Sequence, residues 1–129
     1  MAGSMSDYLE NEILDHTLGV GSWSSPATIY LACYTSDPTD ADTGTEATGG
    51  GYARQAMAFN TASAGSTDNN AVVAFAAASA TLGTLSHWGL CDAVTGGNLL
   101  WHGDFDTAKH IGSGDQAKVN TSDIGISQD

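Results

Sequence analysis

Basic side chains are nearly missing from this 129-residue chain. Three (Arg54, Lys109, Lys118) stand against fifteen acids, for a formal net charge of −12. A field of that sign repels phosphate backbones and anionic lipid surfaces, so neither nucleic acid nor a membrane is an expected partner. Cysteine is scarce too. Cys33 and Cys91 are too few for a disulfide framework, and each lies in an apolar stretch. Two buried free thiols are therefore expected, with a single bridge between neighbouring strands as the alternative. No apolar run approaches the length of a membrane-crossing helix. The opening residues 1–5 lack the basic and apolar regions of a secretory signal. The second methionine, Met5, marks residues 1–4 as an expected cloning remnant and 5–129 as one domain.

Charged residues of both signs make up only 14% of the chain, so the surface must be built largely from Thr, Ser, Asn, Gly and Ala. Much of the 41% hydrophobic content is alanine, which buries little area. The core is therefore expected to lean on Trp23, Phe59, Phe75, Trp88, Leu90, Leu99, Leu100 and Trp101.

What the chain does have is a helix signal followed by many short strand signals. Ser6 is placed as an N-cap for a helix over residues 6–18, with Asp7, Glu10 and Glu12 where the helix dipole favours negative charge. Leu9 and Ile13 stand four apart, as do Leu14 and Leu18, and Gly19 is placed to stop the helix. After Pro26 the period becomes two. Ile29, Leu31 and Cys33 share one face and Tyr30, Ala32 and Tyr34 the other; both are apolar, as in a central strand. Residues 36–51 read as a long acidic loop. Further strands are expected over 52–59, 71–75, 82–92 and 98–102, the last two joined through Gly96-Gly97, and more weakly over 116–120 and 122–127. Residues 64–70 read as a polar turn. One N-terminal helix with about seven short strands predicts an all-β protein, a jelly-roll-like β-sandwich.

The search for chemistry excludes most of it. Gly49-Gly50-Gly51 precedes a strand signal and lacks the Lys-Ser or Lys-Thr of a phosphate loop. There is no Gly-x-Ser-x-Gly elbow for an activated serine. His87 and Cys91 stand four apart, but on a strand that spacing separates them by about 13 Å, too far to share a zinc ion. Asp37, Asp40, Asp42 and Glu46 crowd around Gly44, the one arrangement with the oxygen chemistry of a cation loop, although the spacing departs from an EF-hand. A solvated acidic loop is the simpler expectation, so no cofactor and no metal centre is assigned. Arg54, the only arginine, follows that loop; its guanidinium can pair with a loop carboxylate or with a neighbouring subunit. No enzyme activity is expected.

Several segments carry a resemblance. These are residues 5–11, the strand 28–34 continuing through Thr35-Ser36-Asp37-Pro38-Thr39-Asp40, the run Gly49-Gly50-Gly51-Tyr52-Ala53-Arg54-Gln55, and the pair 87–93 and 96–103. In order and spacing they resemble a family of small structural proteins of tailed bacteriophages, capsid-associated or tail-fibre-like. Cys33 and Cys91 depart from its ordinary strand residues. The resemblance implies a sandwich domain assembling as a homo-oligomer, dimer or trimer, on the outer surface of a virion made in the host cytoplasm. It carries over no catalytic residue. The first expectation is a capsid decoration or cement protein contacting the major capsid protein or other virion proteins. The helix and the 36–51 loop would project as contact elements, and Leu9, Ile13, Tyr52, Arg54, Trp88 and Trp101 would serve as assembly contacts. The alternative is a tail-fibre or receptor-binding component stacking Tyr30, Tyr34 or Trp101 on host glycans.

Overall fold

A computed structural model describes residues 3–128. Of the expected remnant, residues 1 and 2 lie outside the described residues, whereas Ser4 and Met5 form a short first strand that pairs with His102 and Trp101. The chain runs β1 (Ser4–Met5), α1 (Asp7–Thr17), β2 (Ile29–Tyr34), β3 (Gln55–Met57), β4 (Ser66–Asp68), β5 (Val73–Ala74), β6 (Gly83–Cys91), β7 (Leu99–Ile111), β8 (Lys118–Val119) and β9 (Gly125–Ser127). Every strand pairing is antiparallel. The main sheet has the order β1-β7-β6-β2-β3, and β4 with β9 and β5 with β8 form two-stranded ribbons.

The protein is thus mainly antiparallel β with one short helix. A jelly roll is a finer arrangement than these pairings make. Among the described residues they give one five-stranded sheet and two ribbons, without two opposed four-stranded sheets.

The helix starts where Ser6 predicts. Ser6 Oγ accepts the Leu9 N–H at 3.2 Å and donates to the Leu99 carbonyl at 2.5 Å, while Ser6 N–H donates to the Leu100 carbonyl at 2.9 Å. One buried serine thus caps the helix and fixes it to β7. Leu18 is the C-cap and Gly19 follows in the left-handed region at φ +78°. The expected apolar face is only half buried: Leu9 is 3% exposed, but Leu14 is 55% and Leu18 73% exposed.

Strand β2 is central, between β6 and β3, and buries Leu31, Ala32, Cys33 and Tyr34 in succession. Its two faces feed two cores. Leu31 and Cys33 join the main core with Trp88 and Leu90 of β6 and with Val73, Val119, Ile124 and Ile126 from the ribbons or next to them. Ala32 and Tyr34 pack with Cys91 and Leu99 on the other face. Cys33 and Cys91 therefore sit in cores on opposite faces, and both are free thiols, which removes the single-bridge alternative.

A bulge in β7 shifts the register along β6. Strict alternation places Leu85 opposite in face to Trp88 and Leu90, yet all three enter one core. Register shifts between Leu85 and His87, where Leu85 faces Lys109 but His87 faces Asp104. Ser86 alone thus opposes residues 105–108, and the offset turns the following side chains to the other face. Two further expectations change. The 64–70 turn contains β4, because the C-terminal segment returns as β9 to pair with it. Strand β7 runs to Ile111 instead of ending near 102, because β6 supplies a ladder partner along most of its length.

Candidate functional site

Arg54 organises the largest polar cluster. Its Nε and Nη2 donate to Glu46 Oε2 at 2.9 Å and Oε1 at 2.7 Å, a two-pronged ion pair. Nη1 donates to the carbonyls of Ala93 and Gly96 at 2.9 and 2.8 Å, in the hairpin between β6 and β7. The Tyr52 hydroxyl donates to Glu46 Oε2 at 2.9 Å and accepts the Cys33 N–H at 3.0 Å. Hydrogen bonding to Glu46 holds the guanidinium charged beyond its usual range. Burial, and to a lesser degree the Glu46 charge, pushes the Tyr52 phenol well up. The cluster ties the acidic loop, β2 and the hairpin into one unit. Arg54 is engaged within its own chain, as the sequence allowed.

The 36–51 loop does not project. Thr35 N–H donates to Thr45 O, Ala47 N–H donates to Cys33 O, and Pro38 and Ala47 are buried. Its four acids are drawn to separate partners. Asp37 accepts the Thr39 N–H at 2.8 Å, Asp40 pairs with His102 Nε2 at 2.7 Å, Asp42 accepts from the Tyr34 hydroxyl at 3.4 Å, and Glu46 holds Arg54. Among the described residues no three acidic, histidine or cysteine side chains gather to hold a metal ion. Asp37, Asp40, Asp42 and Glu46, set aside above as a cation loop in favour of a solvated one, are spread over these separate partners, and the loop closes on the sheet.

The expected assembly contacts divide. Leu9 and Trp88 are 3% and 0% exposed, so the core holds them and neither offers surface to a partner. Ile13, Tyr52 and Trp101 are half-buried. Tyr34 is buried beside Cys91 and Leu99, which withdraws it from any glycan-stacking set; Tyr30 and Trp101 keep partial exposure. Sequence reasoning paired Leu14 with Leu18 as part of an apolar helix face, and the structure leaves both exposed, together with Val20. Their i, i+4 spacing was the signal; it identified the ridge but not the side on which the sheet would pack.

Two clefts remain. One of about 290 Å³ is apolar, lies beneath α1 and is lined by Leu9, Trp23, Pro26, Ile29, Leu100 and Trp101 among others. The other, of about 410 Å³, lies where the β7 bulge faces residues 116–123, with Phe75, Leu85, Phe105 and Ile111 as apolar lining and Lys109 and Lys118 at it. As for nucleophile chemistry, Ser86 Oγ lies 2.8 Å from His87 Nδ1. No helix among the described residues is long and apolar enough to cross a membrane.

No curated protein matches the chain. Residues 4–127 match the family model described as Podophage GP4 fiber I protein gp80, which covers the helix, the whole sheet and both ribbons. With nearly its whole length matched, the chain belongs to the podophage GP4 fiber I protein gp80 family, a family of tailed-phage virion structural proteins.

Proposed function

We propose that this chain is a fibre component of a tailed-phage particle and acts through protein–protein contacts without catalysis. The observation that carries the reading is the family match over residues 4–127, whose description names a fibre protein. It moves the weight from the capsid-cement expectation to the fibre alternative. The geometry supports a contact role. The polar groups with reactive potential are engaged in holding the fold, while apolar side chains of α1 stand in solvent. Its partners are further copies of itself and other virion proteins. A net charge of −12 argues against phosphate backbones as ligands.

Electron microscopy of phage labelled with antibody against this chain tests the location. Label on fibres is the expected result. Label spread evenly over the head shell would overturn the reading and restore capsid decoration.

A further inference from the structure

Two surfaces of this chain are complementary and lie towards opposite ends of β7. The first is convex. At 100° per residue, Leu14 and Leu18 form one ridge of α1 with Asp7 and Asn11, flanked by Glu10 and Asp15. Leu14, Leu18 and Val20 are 55%, 73% and 78% exposed, and the flanking acids are exposed as well. The helix carries no lysine or arginine, and His16 points away from the ridge and accepts the Trp23 N–H. The second surface is the concave cleft of about 410 Å³ opened by the β7 bulge. Its lining is apolar at Phe75, Phe105 and Ile111 and includes Lys109 and Lys118, two of the three basic residues in the chain. The third, Arg54, is held by Glu46. The ion pairs found among the described residues involve neither lysine. Asp106 and Asp123 also line the cleft, which makes it locally neutral in a strongly acidic molecule.

We propose that a second copy of this chain seats its α1 ridge in this cleft, with Leu14 and Leu18 against the apolar lining and Glu10 and Asp15 towards Lys109 and Lys118. Charge and shape exclude like-on-like pairing. Ridge against ridge sets Glu10 and Asp15 against their own copies, and cleft against cleft leaves the leucines in water. The two surfaces do not compete within one chain. Helix α1 is fixed to β7 at Leu99 and Leu100, whereas the cleft is walled by Phe105 to Ile111. Such a heterologous contact either closes into a ring or continues as a filament. The inference deepens the contact role proposed above and rests on it. One helix ridge covers much less than a standard interface of about 1,600 Å², so association in solution is weak and gains from the high local concentration on a particle.

Sedimentation velocity of the full chain from about 10 µM to about 1 mM tests it, with L14S/L18S as the ridge variant and K109E/K118E as the cleft variant. All four positions are exposed, and far-UV circular dichroism checks the fold. Wild type is expected to grow beyond a dimer as concentration rises, and each variant alone to associate at least about tenfold more weakly. An equimolar mixture of the two variants should stop at a dimer, since it offers one intact ridge to one intact cleft. A wild type that stays monomeric, variants that associate like wild type, or a mixture no different from its components would overturn the proposal. As a second readout, E10K/D15K alone should associate as weakly as K109E/K118E alone, whereas their equimolar mixture should grow beyond a dimer, since reversed ridge meets reversed cleft and wild-type ridge meets wild-type cleft; a mixture that stops at a dimer would also overturn it. Any of these failures leaves fibre labelling on the particle unaffected, so the two readings fail separately.

Discussion

Asn69 shows how much one polar residue can hold. It is fully buried; its Oδ1 accepts the Ile124 N–H at 2.9 Å and its Nδ2 donates to the carbonyls of Ala71 and Asn120, each at 2.9 Å. These bonds join the 69–71 segment to the returning C-terminal segment. Asn69→Ala leaves buried backbone groups unpaired and is expected to cost about 3 kcal/mol in urea unfolding; a loss under about 1 kcal/mol would mean the segment is held by its apolar contacts alone. In sequence Asn69 is one polar residue in a turn-like run, and nothing local marks it as buried. The thiols give a pH signature. Burial, more than neighbouring charge, pushes Cys33 from its ordinary value of 9.0 up to about 12 and Cys91 to about 11. The fold therefore favours the protonated thiols. Their contribution is complete below about pH 9, where the unfolded chain also keeps its protons, and declines as pH rises towards 11–12. The unfolding free energy from urea titrations should fall between pH 8 and pH 10.5, by on the order of 1–3 kcal/mol in total. Cys33→Ser/Cys91→Ser should reduce that slope, and an unchanged slope would assign it to Tyr34 and Tyr52, whose phenols burial also pushes up.

At the scale of elements, the helix was the most legible and the acidic loop the least. Ser6, the acids of the first turn and Gly19 are local signals, and the helix obeys them. The loop reads as solvated because its residues are polar, yet Arg54, eight residues on, holds Glu46, and His102, 62 residues on, draws Asp40 onto the sheet. Arg54→Lys keeps the charge but cannot reproduce the paired contact with Glu46 together with both hairpin carbonyls. It should cost about 1–2 kcal/mol, and Arg54→Ala about 2–3 kcal/mol, below the range for a fully buried pair because Glu46 keeps partial exposure. Amide hydrogen exchange should then quicken at Thr45–Ala47 and in the hairpin at 92–98 but not in β6; uniform acceleration would mean global destabilisation instead of a released loop. Strand β4 escaped sequence reading because Ser-Thr-Asp has turn chemistry and becomes a strand only through its partner β9.

For the whole molecule the dominant quantity is charge. At −12 the folded chain repels itself, and added salt should raise its melting temperature as the Debye length falls from about 30 Å at 0.01 M to about 3 Å at 1 M. The Arg54–Glu46 pair is too buried for screening to offset this. Calorimetry across a sodium chloride series measures it, and a falling melting temperature would show that attractive pairs outweigh the repulsion. The same salt should weaken the ridge-to-cleft contact, so fold and assembly are expected to respond in opposite directions.

The sequence by itself determined the class of protein. Alternating apolar residues, turn glycines and a capped helix specify antiparallel β with one helix, and fifteen acids against three bases set a strongly negative field. These are properties of local periodicity and summed charge, which need no knowledge of distant contacts. Tertiary structure alone decided which side of the helix faces the sheet, how Trp88 comes to face the main core beside the β7 bulge, and where the few cations end up. Each of these depends on residues far apart in the chain meeting across a sheet. The scarcity of basic residues acquires its meaning there: Arg54 closes the acidic loop, and Lys109 and Lys118 come together at one cleft.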